Sequence, residues 1–540
     1  SGTAPVLCAG SITGSATLVE TFASASDALN KAAGAATLPA VKEPGIRGEV
    51  GIVHRKPAGP THRQWLDLQH DVTVKDVELA ISEGFGNIEH LKRYTAAGMS
   101  VDQGKTSNLN TLLTVAELTN RNPGDIGTTT YRPPYSPVTL GALAARQTGD
   151  RYAPRRLLPA HAEHEALGAH WWETGGWMRP ACYPRDGESV HDSIRREALA
   201  VRNAVGIYDA SPLGKIEVTG PDAAQFLDRF YINNVVTLEP GRIRYGLMLN
   251  ENGVIIDDGT IARLDAGRYV ITTTSSGAGR IAQWLEEWRQ CEWPDLEVFV
   301  TPVTTQWATI AVSGPRARDL LQRLGTDIAI DRESLPHMQL REGRIAGAPA
   351  RLYRVSFPGE LGYEINVPAR HGPALWRELM AAGRELGITP FGIESLLLLR
   401  LEKGFLHVGV DTDGTTSPAD VGWGEIAVKK KADFIGKRSL TRRNNLRGDR
   451  LQLVGLAADD AEVLVSGAHL RLPGTSKGSD GWVTSAALSP ALGRPIALAL
   501  LRGGQKRLGE TVAVHDLDRR CTATVVATPF YDPEGKRLHA

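Results

Sequence analysis

Leu247-Met248-Leu249-Asn250-Glu251-Asn252-Gly253-Val254-Ile255-Ile256-Asp257-Asp258-Gly259-Thr260-Ile261-Ala262-Arg263-Leu264 reads as strand, turn, strand. Residues 248–250 are a short run ending on Asn250, and Asn252-Gly253 is a two-residue hairpin signal. Residues 254–256 resume an apolar strand, expected to stop at two adjacent carboxylates. A second hairpin follows, with Asp265-Ala266-Gly267 turning into residues 269–272. Successive strand residues face opposite sides, so Asp257 and Asp258 cannot point the same way. One of them points inward, where a carboxylate needs a partner, a ligand or a proton. The pair by itself also fits a solvated strand end beside a turn.

Around this hairpin lie 540 residues, too many for a single core, and about three or four domains are expected. With 42% hydrophobic and 23% charged residues and a formal net charge of zero, the composition is that of an ordinary globular chain. It carries no basic excess that would argue for nucleic acid or an anionic membrane. Cys8, Cys182, Cys291 and Cys521 are far apart and form no metal spacing. They read as reduced thiols of a cytoplasmic protein. No apolar run has membrane-spanning length, and no signal peptide is recognisable, so neither membrane nor metal is expected.

Toward the N-terminus, residues 4–11 read as a short strand ending in small residues and 18–33 as an alanine-rich helix. Residues 43–70 read as linker. A helix is expected over 71–81, capped by Thr73 with Asp76 three residues on and ended by Gly84. Further helices are expected at 88–95 and 108–119. Between them Gln103-Gly104-Lys105-Thr106 lacks the first glycine of a P-loop. As a turn at a helix start it can hold a phosphate through backbone N–H groups and Lys105, or serve as a structural connector. The proline-rich residues 131–137 form an extended connector. Beyond it come a helix at 193–204 and a strand over 206–220 entering a helix at Asp222. The last domain alternates short strands with turns, at 451–456, 462–465, 482–486, 497–501, 511–514 and 521–526, which suggests a small antiparallel barrel.

Seven runs occur in order: 206–211, 220–223, 253–258, Ser313-Gly314-Pro315, Gly359-Glu360-Leu361-Gly362-Tyr363-Glu364, Arg400-Leu401-Glu402-Lys403-Gly404 and Phe434-Ile435-Gly436-Lys437. Through them the chain from about Arg155 onward resembles the aminomethyltransferase (glycine-cleavage T-protein) superfamily. Residues 1–45 resemble the tail of a dinucleotide-binding flavoprotein domain; its Gly-x-Gly-x-x-Gly turn is absent, so no dinucleotide site can be built from what is present. Residues 46–150 resemble the small two-iron, two-sulfur domain related to bacterioferritin-associated ferredoxin. Asp102 and Thr106 stand at ligand-like positions there, and without thiolates no cluster is expected. That order is similar to the α-subunit family of heterotetrameric sarcosine oxidases. The expected architecture is α+β and multidomain: 1–45 flavoprotein tail, 46–150 helical domain, 151–445 folate-binding domain and 446–540 β-barrel. A chain beginning inside a larger subunit is expected, with Ser1-Gly2 a processing scar.

The resemblance carries roles onto particular residues. The family's essential acid falls on Asp258, with Asp257 as support. Its folate-gripping glutamate falls on Glu364, its stacking aromatic on Phe357, and a C-terminal folate contact on Tyr531. A family arginine that holds the folate tail is replaced by Leu396. Lys429, Lys430, Lys431, Lys437 and Arg438 are a possible substitute for it. Gln103, Gly104, Lys105 and Thr106 are the expected cofactor contact of the helical domain. Implied cofactors are tetrahydrofolate in this chain and FMN and FAD at a partner subunit or interface, with NAD only if the missing N-terminal domain is present. Implied partners are a flavin-bearing β-type subunit, smaller subunits and a small N-methyl amino acid, with no nucleic acid. The implied reaction passes the one-carbon unit of a flavin-generated iminium to tetrahydrofolate, giving methylenetetrahydrofolate and glycine, with hydrogen peroxide from the oxidation in the partner. The alternatives are a non-catalytic scaffold for a flavin-bearing partner, or a sister N-methyl amine oxidase or demethylase with another substrate.

Overall fold

The computed structural model describes residues 18–33, 63–151, 154–460, 462–474 and 478–540. The strand expected at 4–11 and the linker up to residue 62 lie outside the described residues. The chain divides into two compact units, residues 1–148 and 149–540.

In the first unit, helix Leu18–Ala33 is present as expected. Helices Val74–Ser82, Ile88–Thr95 and Asn108–Thr119 enclose a core that includes Val77, Leu91 and Val115. The first starts three residues later than the sequence suggested, because Val72–Thr73 pairs with strand Trp65–Asp67. Thr73 is its N-cap, and both its N–H and its hydroxyl donate to Asp76 at 2.7 Å, which satisfies donors a helix start leaves free. The second begins at Asn87, whose side chain accepts from Glu89 N at 2.9 Å.

The second unit holds two main sheets and a barrel. A five-stranded antiparallel sheet runs in the order Phe299–Pro302, Gly214–Thr219, Arg268–Thr273, Ile255–Asp265, Ile243–Leu249. A six-stranded sheet runs Leu340–Ile345, Ala348–Tyr353, Gly362–Pro368, Trp307–Ser313, Val205–Asp209, Ile388–Pro390. The single strand expected over 206–220 is therefore two strands in two different sheets. Asp209 breaks it: its Oδ1 accepts from Ser211 N at 2.9 Å, and this side-chain turn redirects the chain. The strand carrying the acidic pair does not stop there either. It continues to Asp265, because both carboxylates find places within the fold rather than at a solvated end.

Each sheet buries one face. Ile216, Ile261 and Ile271 pack with Ile281 and Leu285 of helix Ala278–Cys291, while Ile207, Ile310 and Ile365 pack with Trp376 and Leu379 of helix Gly372–Ala382. At about 25 cal/mol per Å² of apolar surface, burial at these two interfaces stabilises the unit. The other faces are polar. Cross-strand register places Lys215 beside Thr272, and Tyr245 beside Thr260, with the Thr260 and Thr272 hydroxyls 2.9 Å apart. It places Tyr208 beside Ala311, Ala311 beside Glu364, and Glu364 beside Tyr353. These two faces meet around a small cavity lined by Lys215, Val270, Thr272, Val303, Trp307, Arg351, Tyr353 and Asn366.

Strands Leu451–Ala458, Arg494–Arg502, Gly481–Ser489, His469–Arg471, Thr511–Asp516 and Arg519–Val526 close the C-terminal barrel. The strand expected at 462–465 is a loop, and its place is taken by His469–Arg471. The apolar residue Leu464 still points into the barrel core, so hydrophobicity without ladder pairing misled the reading. Among the described residues no helix is long and apolar enough to cross a membrane, and no three His, Cys, Asp or Glu residues are grouped to hold a metal.

Candidate functional site

Asp257 and Asp258 face opposite sides of their strand, as alternation requires, but neither is simply solvated. Asp257 is fully buried. Its Oδ1 accepts from Asp258 N at 2.9 Å and Thr274 N at 3.0 Å, and its Oδ2 accepts from the Thr274 hydroxyl at 3.0 Å. Arg280 lies 3.8 Å from Oδ2. A Cβ at Gly277 would fall 1.8 Å from Asp257 Oδ2, so glycine is needed where this turn wraps the carboxylate. Asp257 thus fastens the turn that begins helix Ala278–Cys291.

Asp258 is half-buried and turns to the polar face. Its Oδ2 accepts one side-chain hydrogen bond, from the Tyr245 hydroxyl at 2.7 Å. Burial pushes its carboxyl up to about 7, with the Tyr245 hydrogen bond opposing and the neighbouring Asp257 charge adding to the rise. A carboxyl poised there exchanges a proton at neutral pH. The Tyr245 ring in turn meets Trp423 edge-on, centroids 5.1 Å apart. The sequence reading missed Tyr245. Its signal was the hairpin register, but an irregularity between Met248 and Leu249 shifts the pairing, so counting outward from Asn252-Gly253 does not place it.

On the opposite wall, Glu364 sits in strand Gly362–Pro368. It is recessed, and burial raises its pKa while the Lys215 charge lowers it. Among the described residues no donor reaches its carboxylate. Lys215, also absent from the sequence reading, is 4% exposed. Its ammonium donates to the carbonyls of Ser211 at 3.1 Å and Leu213 at 3.0 Å.

Phe357 is half-buried and lies 6.2 Å from the Phe405 ring, with the planes 28° apart. Tyr531 donates its hydroxyl to Glu360 at 3.2 Å, and its ring lies under Arg202 at 4.3 Å. Arg202 also binds Glu402 at 2.7 Å, so Tyr531 belongs to a buried network that holds the C-terminal segment. Leu396 is 9% exposed within helix Ile393–Glu402 and packs in its core. Arg400 of the same helix is tied to Asp411 and Ser485.

The basic run does not replace the missing arginine as a set. Lys430 is buried, and its ammonium is consumed by the carbonyls of Asp228, Tyr231 and Asn233 and by the Asp228 carboxylate at 3.1 Å. Lys437 donates to the carbonyls of Lys430, Lys431 and Ala432 at 2.8 Å each. Lys429 pairs with Glu425 at 2.8 Å, leaving Lys431 and Arg438 exposed.

In the first unit, the turn at 103–106 encloses a carboxylate of its own chain. Asp102 accepts from Gly104 N at 3.1 Å, Thr106 N at 3.3 Å and the Thr106 hydroxyl at 2.7 Å. The Gln103 side-chain oxygen accepts from Arg132 N at 3.0 Å, and Lys105 donates to the Tyr135 carbonyl. The phosphate cradle expected there is thus filled by Asp102, and the donors do not fit a flavin phosphate as arranged.

Residues 160–431 match the GCVT N-terminal domain, 452–532 the glycine cleavage T-protein C-terminal barrel domain, and 61–147 the sarcosine oxidase A3 domain. Sarcosine oxidase subunit alpha of Corynebacterium sp. (strain P-1) is 43% identical over 506 residues, covering 89% of this chain and 52% of that protein. An aminomethyltransferase of Corynebacterium aurimucosum is 33% identical over 375 residues, 69% of this chain and 97% of the other. The crystal structure of glycine cleavage system aminomethyltransferase T from Bartonella henselae superposes with a TM-score of 0.62 at 26% identity, over 70% of this chain and 98% of that one. The chain spans about half the length of the sarcosine oxidase α subunits it matches.

Proposed function

Because the chain belongs to the aminomethyltransferase (glycine-cleavage T-protein) family and is sarcosine oxidase α-subunit-like, we propose that its second unit binds tetrahydrofolate and transfers a one-carbon unit to it. The observation that carries this reading is Glu364: a recessed carboxylate that no donor among the described residues satisfies, beside Tyr353 of the cavity wall that faces the sheet bearing Asp258. A buried carboxylate left without donors is costly, and a pterin edge presents adjacent N–H groups suited to it. Phe357 supplies an apolar ring for the pterin face.

Tetrahydrofolate, when bound, supplies the nucleophilic nitrogen that takes up the one-carbon unit. Asp258 accepts the proton released from that nitrogen, or stabilises positive charge there, and Tyr245 holds the receiving carboxylate in place. Asp257 keeps the strand and the following turn from shifting. The one-carbon unit is proposed to arrive as the iminium made when a flavin of a partner subunit oxidises an N-methyl amino acid such as sarcosine. FMN and FAD are assigned to that partner or its interface. The products are methylenetetrahydrofolate and glycine, with hydrogen peroxide from flavin reoxidation.

Titrating tetrahydrofolate into wild type and Glu364→Ala by calorimetry tests the reading. The variant is expected to bind about 1.5–3 kcal/mol more weakly, the range for hydrogen bonds to charged groups. Equal affinities would remove Glu364 from the site. A second reading, a scaffold with a vestigial pocket, is favoured by Leu396 and by the engagement of Arg400, which leave helix Ile393–Glu402 without a free guanidinium. Wild type that binds no tetrahydrofolate would select it.

A further inference from the structure

Lys215 has an unusual position for a lysine. It lies almost wholly buried on strand Gly214–Thr219, and its ammonium is held by two backbone carbonyls, with no carboxylate in direct contact among the described residues. Burying a charge without a paired ion is expensive, and a structural role alone is served as well by an apolar side chain. The carbonyls that hold it belong to the turn set by Asp209, whose other oxygen is 3.0 Å from His164 Nε2. His164 is completely buried, and its Nδ1 is 3.0 Å from the Tyr183 hydroxyl. The lysine is therefore fixed by a rigid buried network rather than by chance packing.

The cavity it lines is completed from the other sheet by Tyr353 and Asn366. Tyr353 is the cross-strand neighbour of Glu364, and Asn366 lies two residues beyond Glu364 on the same face. The Lys215 charge lowers the Glu364 pKa, and the Glu364 charge raises that of Lys215.

We propose that Lys215 is a positioning residue of the folate site: its buried ammonium holds Glu364 in the charged form, so that both oxygens can accept pterin N–H groups. This rests on the assignment of Glu364 to folate made above. A protonated Glu364 offers one acceptor and one donor, which mismatches two adjacent N–H groups. The partial burial that strengthens Glu364 as an acceptor also favours its neutral form, and Lys215 opposes that. Burial pushes Lys215 itself down to about 8, consistent with a cation placed for a task.

The other groups around this pair are Tyr208, Tyr353, Arg351, Arg179 and Asp209, with Glu342 and Glu217 beyond Tyr353 paired to Arg351 and Arg268. Burial raises both tyrosines, so they stay neutral between pH 6 and 9. The arginines carry their charge throughout. Asp209 is occupied by His164 and Ser211. Removing Lys215 is therefore read at Glu364.

The experiment is calorimetric titration of the full chain with tetrahydrofolate from pH 6 to 9, for wild type, Lys215→Met, Lys215→Arg and Glu364→Gln. Loss of the cation raises the Glu364 pKa, so Lys215→Met is expected to bind roughly tenfold more weakly at pH 7. The deficit should shrink as pH rises toward 9, because Glu364 ionises unaided and Lys215 itself loses its charge above about 8. Lys215→Arg should restore binding. Lys215→Gln, which keeps a donor and loses the charge, replaces Lys215→Met if that variant does not fold. Wild-type affinity in the neutral variant, or a deficit constant with pH, overturns the role. Wild-type affinity in Glu364→Gln instead overturns the folate assignment on which it rests.

Discussion

Asp258→Asn separates the chemistry of the site from its stability. The Asp258 carboxyl is moved from an ordinary 3.8 to about 7 in the folded chain. Between those values the folded state binds more protons than the unfolded state. The pH derivative of unfolding free energy, 2.303RT(νU − νN), is then negative, and stability falls as pH rises through this window. Asparagine has no such titration. The destabilisation avoided by the variant is small at pH 4, about 1.7 kcal/mol at pH 5 and about 4 kcal/mol at pH 8, at 1.36 kcal/mol per pKa unit. Replacing a charged acceptor for Tyr245 by a neutral one takes back about 1 kcal/mol at high pH. The variant should therefore gain about 1.5 kcal/mol on wild type between pH 5 and pH 8. The assay is urea unfolding of the full chain at both pH values, followed by tryptophan fluorescence. Because several domains unfold, the quantity compared is the variant-minus-wild-type difference in the transition that responds to the mutation. A difference that is the same at pH 5 and pH 8 would refute the argument, since Asp258 would then titrate as an ordinary surface carboxylate.

In the assembled complex with saturating folate, Asp258→Ala should leave flavin reduction intact and lower the yield of methylenetetrahydrofolate, relative to formaldehyde released when water hydrolyses the iminium instead, by about a hundredfold or more in its own step. The wild-type transfer step should itself decline as pH falls through about 7, measured by product partitioning, because Asp258 becomes protonated. Asp257→Ala acts through the fold: it strips the acceptor from two N–H groups and a hydroxyl, and should cost about 3 kcal/mol in stability by denaturant titration. Lys430→Ala should destabilise the second unit by about 2 kcal/mol while leaving tetrahydrofolate affinity unchanged in calorimetry, because its ammonium is spent on carbonyls.

Local chemistry was legible from the residues alone. The Asn252-Gly253 turn, the opposed facing of Asp257 and Asp258, the Thr73–Asp76 cap and the barrel character of the last hundred residues all follow from short-range rules. So does the family resemblance, because its motifs are contiguous. Boundaries failed where a side chain overrode the pattern, as when Asp209 split one apparent strand between two sheets.

What the tertiary structure decided was how each charge is used. By sequence the two aspartates are equivalent apart from parity. One is saturated by the Thr274 turn, and the other is left with Tyr245 and a pKa near neutrality. The run at Lys429–Lys431 read as one basic surface, yet Lys430 is buried among carbonyls contributed from some two hundred residues earlier in the chain. Lys215 and Glu364 stand far apart in sequence, and the charge of one reaches the other only because two sheets pack face to face. Alternation and turn propensity act between near neighbours and are written in the chain. Desolvation and charge pairing depend on what the opposite wall presents, and that exists only once the sheets have packed.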